Sequence, residues 1–84
     1  MSELSYGDKI FKLLQKLERN INKPDLHSFT AWCKDCFVFV EAKFVGEIYI
    51  EEQRGNECIT WAGYPVAAAN RLERLGIDLD SVEI

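Results

Sequence analysis

Three cysteines and one histidine are the residues of this 84-residue chain that are best suited to metal chemistry. Cys33 and Cys36 are two residues apart, a spacing common in zinc sites, and His27 and Cys58 would complete four ligands. A second closely spaced pair is missing, however, and free cysteine is often simply a small buried apolar residue. We therefore predict core cysteines and no metal or other cofactor, with a small zinc-stabilised module as an alternative.

The segment Trp32–Cys36 contains a Trp-Cys-x-x-Cys motif that resembles the redox motif of the thioredoxin family. In that family the first cysteine begins a helix, whose N-terminus lowers the pKa of its thiol. Here Cys36 leads directly into Phe-Val-Phe-Val, a strand pattern, so the resemblance is confined to the motif itself. An odd cysteine count also fits a reducing compartment better than a secreted disulfide framework.

Candidate groups for catalysis are few. Any Ser-His-Asp or Cys-His arrangement would have to use His27, the single histidine, and no Gly-rich phosphate loop occurs. The neighbouring carboxylates Glu51 and Glu52 are accounted for by strand alternation or exposure. We predict that the chain is not an enzyme and has no catalytic residues.

Five basic residues recur in the first segment at spacings of three and four positions, which places them on one face of a helix. They are Lys9, Lys12, Lys16, Arg19 and Lys23, hereafter the basic rib. At about 100° per residue the rib covers an arc of roughly 80°, on the side away from the apolar face. It is either a solvated helix face or a docking surface for an acidic partner, which would be a protein patch, nucleic-acid phosphates or a second copy.

Charge is unevenly distributed along the chain, whose net charge is −4. Residues 1–24 contain five basic and three acidic residues, whereas residues 25–84 contain five and eleven. Non-specific binding to nucleic acid or to a membrane depends on a positive field, which this balance disfavours.

The N-terminus lacks a basic start followed by an apolar run, and the most apolar stretch, residues 36–45, is interrupted by Glu41 and Lys43. We therefore expect no signal peptide, no membrane helix and a cytoplasmic location. The length predicts a single domain over residues 1–84.

The first predicted element is a helix that begins near Ser5 and ends at Asn22-Lys23-Pro24. Its apolar residues recur at helical spacing; they are Tyr6, Ile10, Phe11, Leu13, Leu14, Leu17 and Ile21. Ser5 and Asp8 resemble a capping box, and Pro24 disfavours helix in the residue before it. Residues 25–35 fit either a short strand or a second short helix, and we favour a strand.

The middle of the sequence has the pattern of three antiparallel strands. Residues 36–40 are β-branched and aromatic, which predicts a central strand, and residues 47–51 alternate cleanly. Gly55-Asn56 suits the centre of a hairpin turn, after which residues 58–61 return.

The last helix is predicted to begin at Pro65, a residue suited to the first turn, and to end before Gly76. We therefore predict an α+β domain of order α-β-β-β-α, with both helices on one face of a three- or four-stranded antiparallel sheet. Ten residues should form its core: Phe11, Leu14, Leu17, Val38, Val40, Ile48, Ile50, Ile59, Trp61 and Leu72.

This order of elements is similar to that of double-stranded-RNA-binding domains, over roughly residues 5–75. In that family a lysine cluster at the start of the second helix binds phosphates across a groove. The corresponding residues 63–67 contain no lysine. The resemblance therefore implies a topology and carries over no RNA-binding residue.

Small size, acidity and the lack of a catalytic set favour a binding protein. We predict an intracellular regulator that docks on another macromolecule, foremost a protein, as an inhibitor, immunity factor or phage-type accessory protein; nucleic-acid contact through the basic rib is the alternative. Phe37, Phe39 and Tyr49 are candidates for an uncovered sheet face that a partner would bury. A homodimer that stacks such faces or joins edge strands is also predicted.

Overall fold

The computed structural model describes residues 4–83, which form two helices and a four-stranded antiparallel sheet. The elements are α1 (Tyr6–Arg19), β1 (Ser28–Trp32), β2 (Phe37–Phe44), β3 (Glu47–Arg54), β4 (Glu57–Gly63), α2 (Pro65–Leu75) and a 3-10 turn (Leu79–Ser81). The predicted α+β class is confirmed, and the ambiguous segment supplies the fourth strand, β1. Residues 1–3, on which the prediction of no signal peptide rests, and Ile84 lie outside the described part.

Helix α1 begins as predicted but ends earlier. The Ser5 side chain accepts a hydrogen bond from the Asp8 backbone N–H at 3.2 Å and caps the helix. At the other end, the Asn20 side chain donates to the Lys16 carbonyl at 3.0 Å, and hydrogen-bonded turns follow. Asparagine competes in this way with helical hydrogen bonds. The predicted end at residues 22–24 is therefore wrong, and Lys23 lies beyond the helix.

The sheet has the simple order β1-β2-β3-β4, so that β2, the predicted central strand, is an interior one. Arg54 pairs with Glu57 across the last turn, in which Gly55 has φ +60°. A glycine with positive φ at the first central position is typical of a tight hairpin turn. The hairpin predicted at Gly55-Asn56 is thus confirmed.

Both helices pack on one face of the sheet, with α1 over β2 and α2 over β3. Strand alternation directs one set of side chains toward them. The buried apolar residues of this layer include Ile10, Leu14, Leu17, Val38, Val40, Ile48, Ile50 and Leu72. Seven of the ten predicted core residues are therefore buried, and Phe11 and Trp61 are half-buried.

Ile59 is the exception, since its side chain is 40% exposed. It lies on the helix side of the sheet, opposite Glu52. However, β4 is an edge strand, so no neighbouring strand of residues 4–83 covers its outer side. The prediction that Ile59 is buried is therefore wrong.

The C-terminal tail closes the β1 edge of the sheet. Helix α2 ends at Gly76, which has φ +72°, and Ile77 is buried directly after it. Glu83 then exchanges backbone hydrogen bonds with Thr30, at 3.0 and 3.2 Å. Within residues 4–83, neither helix has the length and apolar character needed to cross a bilayer.

Candidate functional site

The basic rib borders a groove between α1 and the C-terminal tail. Four of its five members line this groove, with a volume of about 650 Å³, and four apolar side chains form its floor: the basic residues are Lys9, Lys12, Lys16 and Arg19, and the apolar ones are Leu4, Leu13, Leu79 and Val82. We call it the basic groove. Leu13 is one turn from both Lys9 and Lys16, which is why apolar and basic groups meet there.

The cations of the groove make no ion pair with any carboxylate of residues 4–83. Within the described part of the chain, no carboxylate therefore neutralises these four cations. Lys23, the fifth member of the rib, does not line the groove, because α1 ends before it. Sequence spacing located the four helical cations but not the tail residues that complete the floor.

The sheet face opposite the helices carries the predicted aromatic residues. Cross-strand register places Phe39 opposite Glu51, and Phe37 opposite Gln53, all on this open face. Phe37, Phe39 and Tyr49 are half-buried, whereas Trp32, whose ring centroid is 4.9 Å from that of Phe37, is 59% exposed. The face is thus partly apolar, and Trp32 is its most exposed aromatic group.

Polar contacts within and between strands cover the rest of the open face. Glu41 receives Lys43 Nζ at 2.8 Å and His27 Nε2 at 3.1 Å on its two carboxylate oxygens. Glu51 in turn accepts from the Tyr49 hydroxyl at 3.2 Å and from the Cys58 thiol at 3.3 Å. Each carboxylate therefore has two donors, and these pairings account for both groups structurally.

Cys58 is poorly suited to nucleophilic chemistry in this setting. Its hydrogen bond to the Glu51 carboxylate raises the pKa of the thiol. The thiolate is the reactive form, and a raised pKa keeps the thiol protonated at neutral pH.

The four candidate zinc ligands do not converge. Cys33 and Cys36 flank the β1–β2 connection, with adjacent sulfur atoms and Cα atoms 5.1 Å apart, within disulfide range. Cys58 is on β4 at the opposite edge of the sheet, three strand spacings or about 14 Å from β1 and two spacings or about 10 Å from β2. Within residues 4–83, no three His, Cys, Asp or Glu side chains are grouped closely enough to hold a metal ion.

The prediction that the cysteines lie in the core is confirmed for only one of the three. Cys36 is buried, Cys33 is half-buried and Cys58 is exposed. The reason is topological: Cys58 points to the open face of an edge strand, which no helix covers.

No family model, curated protein or solved structure matches this chain.

An ion pair between a buried carboxylate and a half-buried arginine was missed by the sequence interpretation. Glu52 is only 2% exposed, and Arg71 Nη2 on α2 donates to its Oε2 at 2.6 Å. Arg71 also lies over the Trp61 ring, 5.7 Å from the centroid. The alternation of β3 does place Glu52 on the same buried face as Ile48 and Ile50. This alternation is the sequence signal that could have identified Glu52 as a buried carboxylate.

His27 is held in place by two acceptors. Its Nδ1 is 2.9 Å from the Lys23 carbonyl, and its Nε2 bonds Glu41. The carbonyl, followed by Glu41, raises the pKa of His27 above 6.5. Lys43 and then His27 lower the pKa of Glu41 below 4.5. The protonated histidine therefore contributes stability that is lost as pH rises through its folded pKa, and the ionised Glu41 contributes stability that is lost as pH falls through its own.

We expect an NMR titration to give His27 a pKa above 6.5 and Glu41 a pKa below 4.5, with the charged pair most populated between these two pKa values. Glu41→Gln should lower the His27 pKa without returning it fully to 6.5, because the Lys23 carbonyl remains. Asp25→Asn, which changes a nearby exposed carboxylate outside the pair, is the matched control. An unchanged His27 pKa in Glu41→Gln would contradict the assigned contact.

Proposed function

We propose that this protein binds an acidic, partly apolar segment of another protein in the basic groove. The observation that carries the proposal is an apolar floor beside cations that make no ion pair within residues 4–83. An acidic amphipathic helix presents both features, with carboxylates beside a row of leucine-type side chains. Lys9 to Arg19 extends along about 15 Å of helix, enough to meet two to three turns of such a segment.

Nucleic acid is the competing ligand for the same cations. Phosphate contacts alone would leave Leu13, Leu79 and Val82 without a complementary surface. The excess of acidic residues in the remainder of the chain would also repel a long polyanion. Both features support a short acidic protein segment over a duplex.

The regulatory role is part of the same proposal. A small domain with a charged and apolar groove acts on a larger protein by covering the segment that it binds. Inhibition or adaptor activity would follow from this occupancy and requires no catalytic group on this chain.

The test is fluorescence anisotropy with three labelled probes that carry the same number of negative charges. They are an amphipathic peptide of leucine and glutamate, polyglutamate, and a short DNA duplex. We expect the amphipathic peptide to bind most tightly. Lys12→Glu with Lys16→Glu should weaken its binding by about tenfold or more, since tenfold corresponds to about 1.4 kcal/mol. Leu79→Ser should weaken the binding of the amphipathic peptide but leave the binding of polyglutamate unchanged.

The matched control is Lys34→Glu with Arg74→Glu, which makes the same charge change outside the groove. This control should bind the peptide as the unaltered protein does. Equal losses in both double variants would show a general charge effect and would contradict the groove. Preferential binding of the duplex, with a steep salt dependence, would replace the proposal with the nucleic-acid alternative.

A further inference from the structure

The two edges of the sheet differ in whether another segment of the chain pairs with them. At β1, Thr30 exchanges two hydrogen bonds with Glu83, and the Trp32 N–H donates to Ser81 Oγ at 2.9 Å. The chain's own tail thus occupies that edge. Strand β4 has no strand beside its outer edge within residues 4–83.

The hairpin determines which backbone groups β4 directs outward. Arg54 and Glu57 close a two-residue turn, and such a closing pair is hydrogen-bonded. Bonded pairs alternate along an antiparallel ladder. The backbone groups of Cys58, Thr60 and Ala62 therefore point away from β3 and toward solvent.

Strand β4 also lacks the features that normally protect an edge. Proteins blunt exposed edges with lysine, proline or a bulge. β4 is seven residues long, pairs with β3 without a register shift, and carries one charged residue, Glu57. Ile59, 40% exposed, adds an apolar side chain beside this edge.

We propose that β4 pairs with β4 of a second copy of this chain, antiparallel, about a two-fold axis at Thr60. In this register Cys58 lies opposite the partner's Ala62, and Thr60 opposite its own counterpart. The outward-facing groups of both strands then fall in bonding positions, which gives about six backbone hydrogen bonds.

The sequence around Thr60 is self-complementary, and this favours a second copy over an unrelated strand. Ile59 lies opposite Trp61 of the second copy. The two-fold axis repeats this apolar contact with the two residues exchanged. Glu57 lies opposite the partner's Gly63, and the register therefore brings no like charges together. Small residues, Cys58 and Ala62, meet on the other face.

This arrangement leaves the basic grooves free. Each groove lies between α1 and the tail, which runs along β1, the edge farthest from β4. The dimer would be a continuous eight-stranded sheet with one groove near each outer end. A partner with two acidic segments could then be bound bivalently, with a gain from effective concentration.

Light scattering with sedimentation at about 50 µM, a concentration at which weak specific pairs form, should give twice the 9.7 kDa chain mass. Thr60→Lys should give the monomer mass, because two lysines would face each other at the axis, whereas in the monomer the lysine faces Glu51. Thr60→Val should remain dimeric. Mixing Thr60→Lys with Thr60→Glu should restore the dimer mass through opposite charges.

Thr60→Pro is a second variant that removes only an outward N–H and is compatible with an edge strand; it should be a folded monomer by circular dichroism. A monomeric unaltered protein, or a Thr60→Lys variant that stays dimeric, would overturn the proposal. So would loss of the dimer in Phe39→Lys alone, because that result would assign the contact to stacked open faces.

Discussion

Replacing Leu17 with alanine is expected to lower the free energy of unfolding by about 2–5 kcal/mol. Leu17 is fully buried where α1 meets the sheet. Truncation removes contacts and leaves a cavity that the surrounding side chains fill only partly. A domain of this size has about 5–15 kcal/mol of stability in total, so the variant would lose a large share of it.

Chemical denaturation followed by circular dichroism measures this loss. Gln15→Ala is the matched control, because it lies on the same helix with an exposed side chain. It should change stability by less than about 0.5 kcal/mol. A loss below about 1 kcal/mol in Leu17→Ala, well under the range for a buried leucine, would contradict the orientation of α1.

Replacing Arg71 with methionine should be at least as damaging, with an expected loss of about 3–5 kcal/mol. Methionine keeps much of the side-chain volume but leaves the Glu52 carboxylate buried without its 2.6 Å partner. Arg54 lies 4.0 Å from the other carboxylate oxygen and is more exposed, so it compensates little. The loss therefore comes from an uncompensated buried charge.

The double variant Glu52→Met with Arg71→Met separates this cause from simple loss of packing. Replacement of both partners by apolar groups of similar volume is often close to neutral. We expect the double variant to be more stable than Arg71→Met in the same denaturation experiment. If it were less stable, the carboxylate would not be the origin of the loss, and the double-mutant cycle would show it.

The sequence alone predicted the features that depend on local rules. Ser5, Gly55 and Gly76 mark the start of α1, the β3–β4 turn and the end of α2, because each position needs a particular hydrogen-bonding group or backbone conformation. Periodicity likewise assigned the buried faces of α1 and the central strands. The four helical cations of the basic groove followed from spacing alone.

Tertiary structure decided the features that depend on which surfaces meet. Ile59 and Glu52 are directly opposite on neighbouring strands, yet the apolar side chain is exposed and the carboxylate is buried. Residue type predicts the reverse. The outcome depends on Arg71, which α2 places over Glu52, and on the edge position of β4, which leaves Ile59 without a neighbouring strand.

The basic groove likewise depends on both local sequence rules and tertiary packing. Helical spacing determines that Lys9, Lys12 and Lys16 share a face, because 3.6 residues per turn is a local property of the chain. The floor of the groove requires Leu79 and Val82, which lie beside α1 only because the tail pairs with β1. Contacts between residues so far apart in sequence depend on the packing of the whole domain, and no local pattern encodes them.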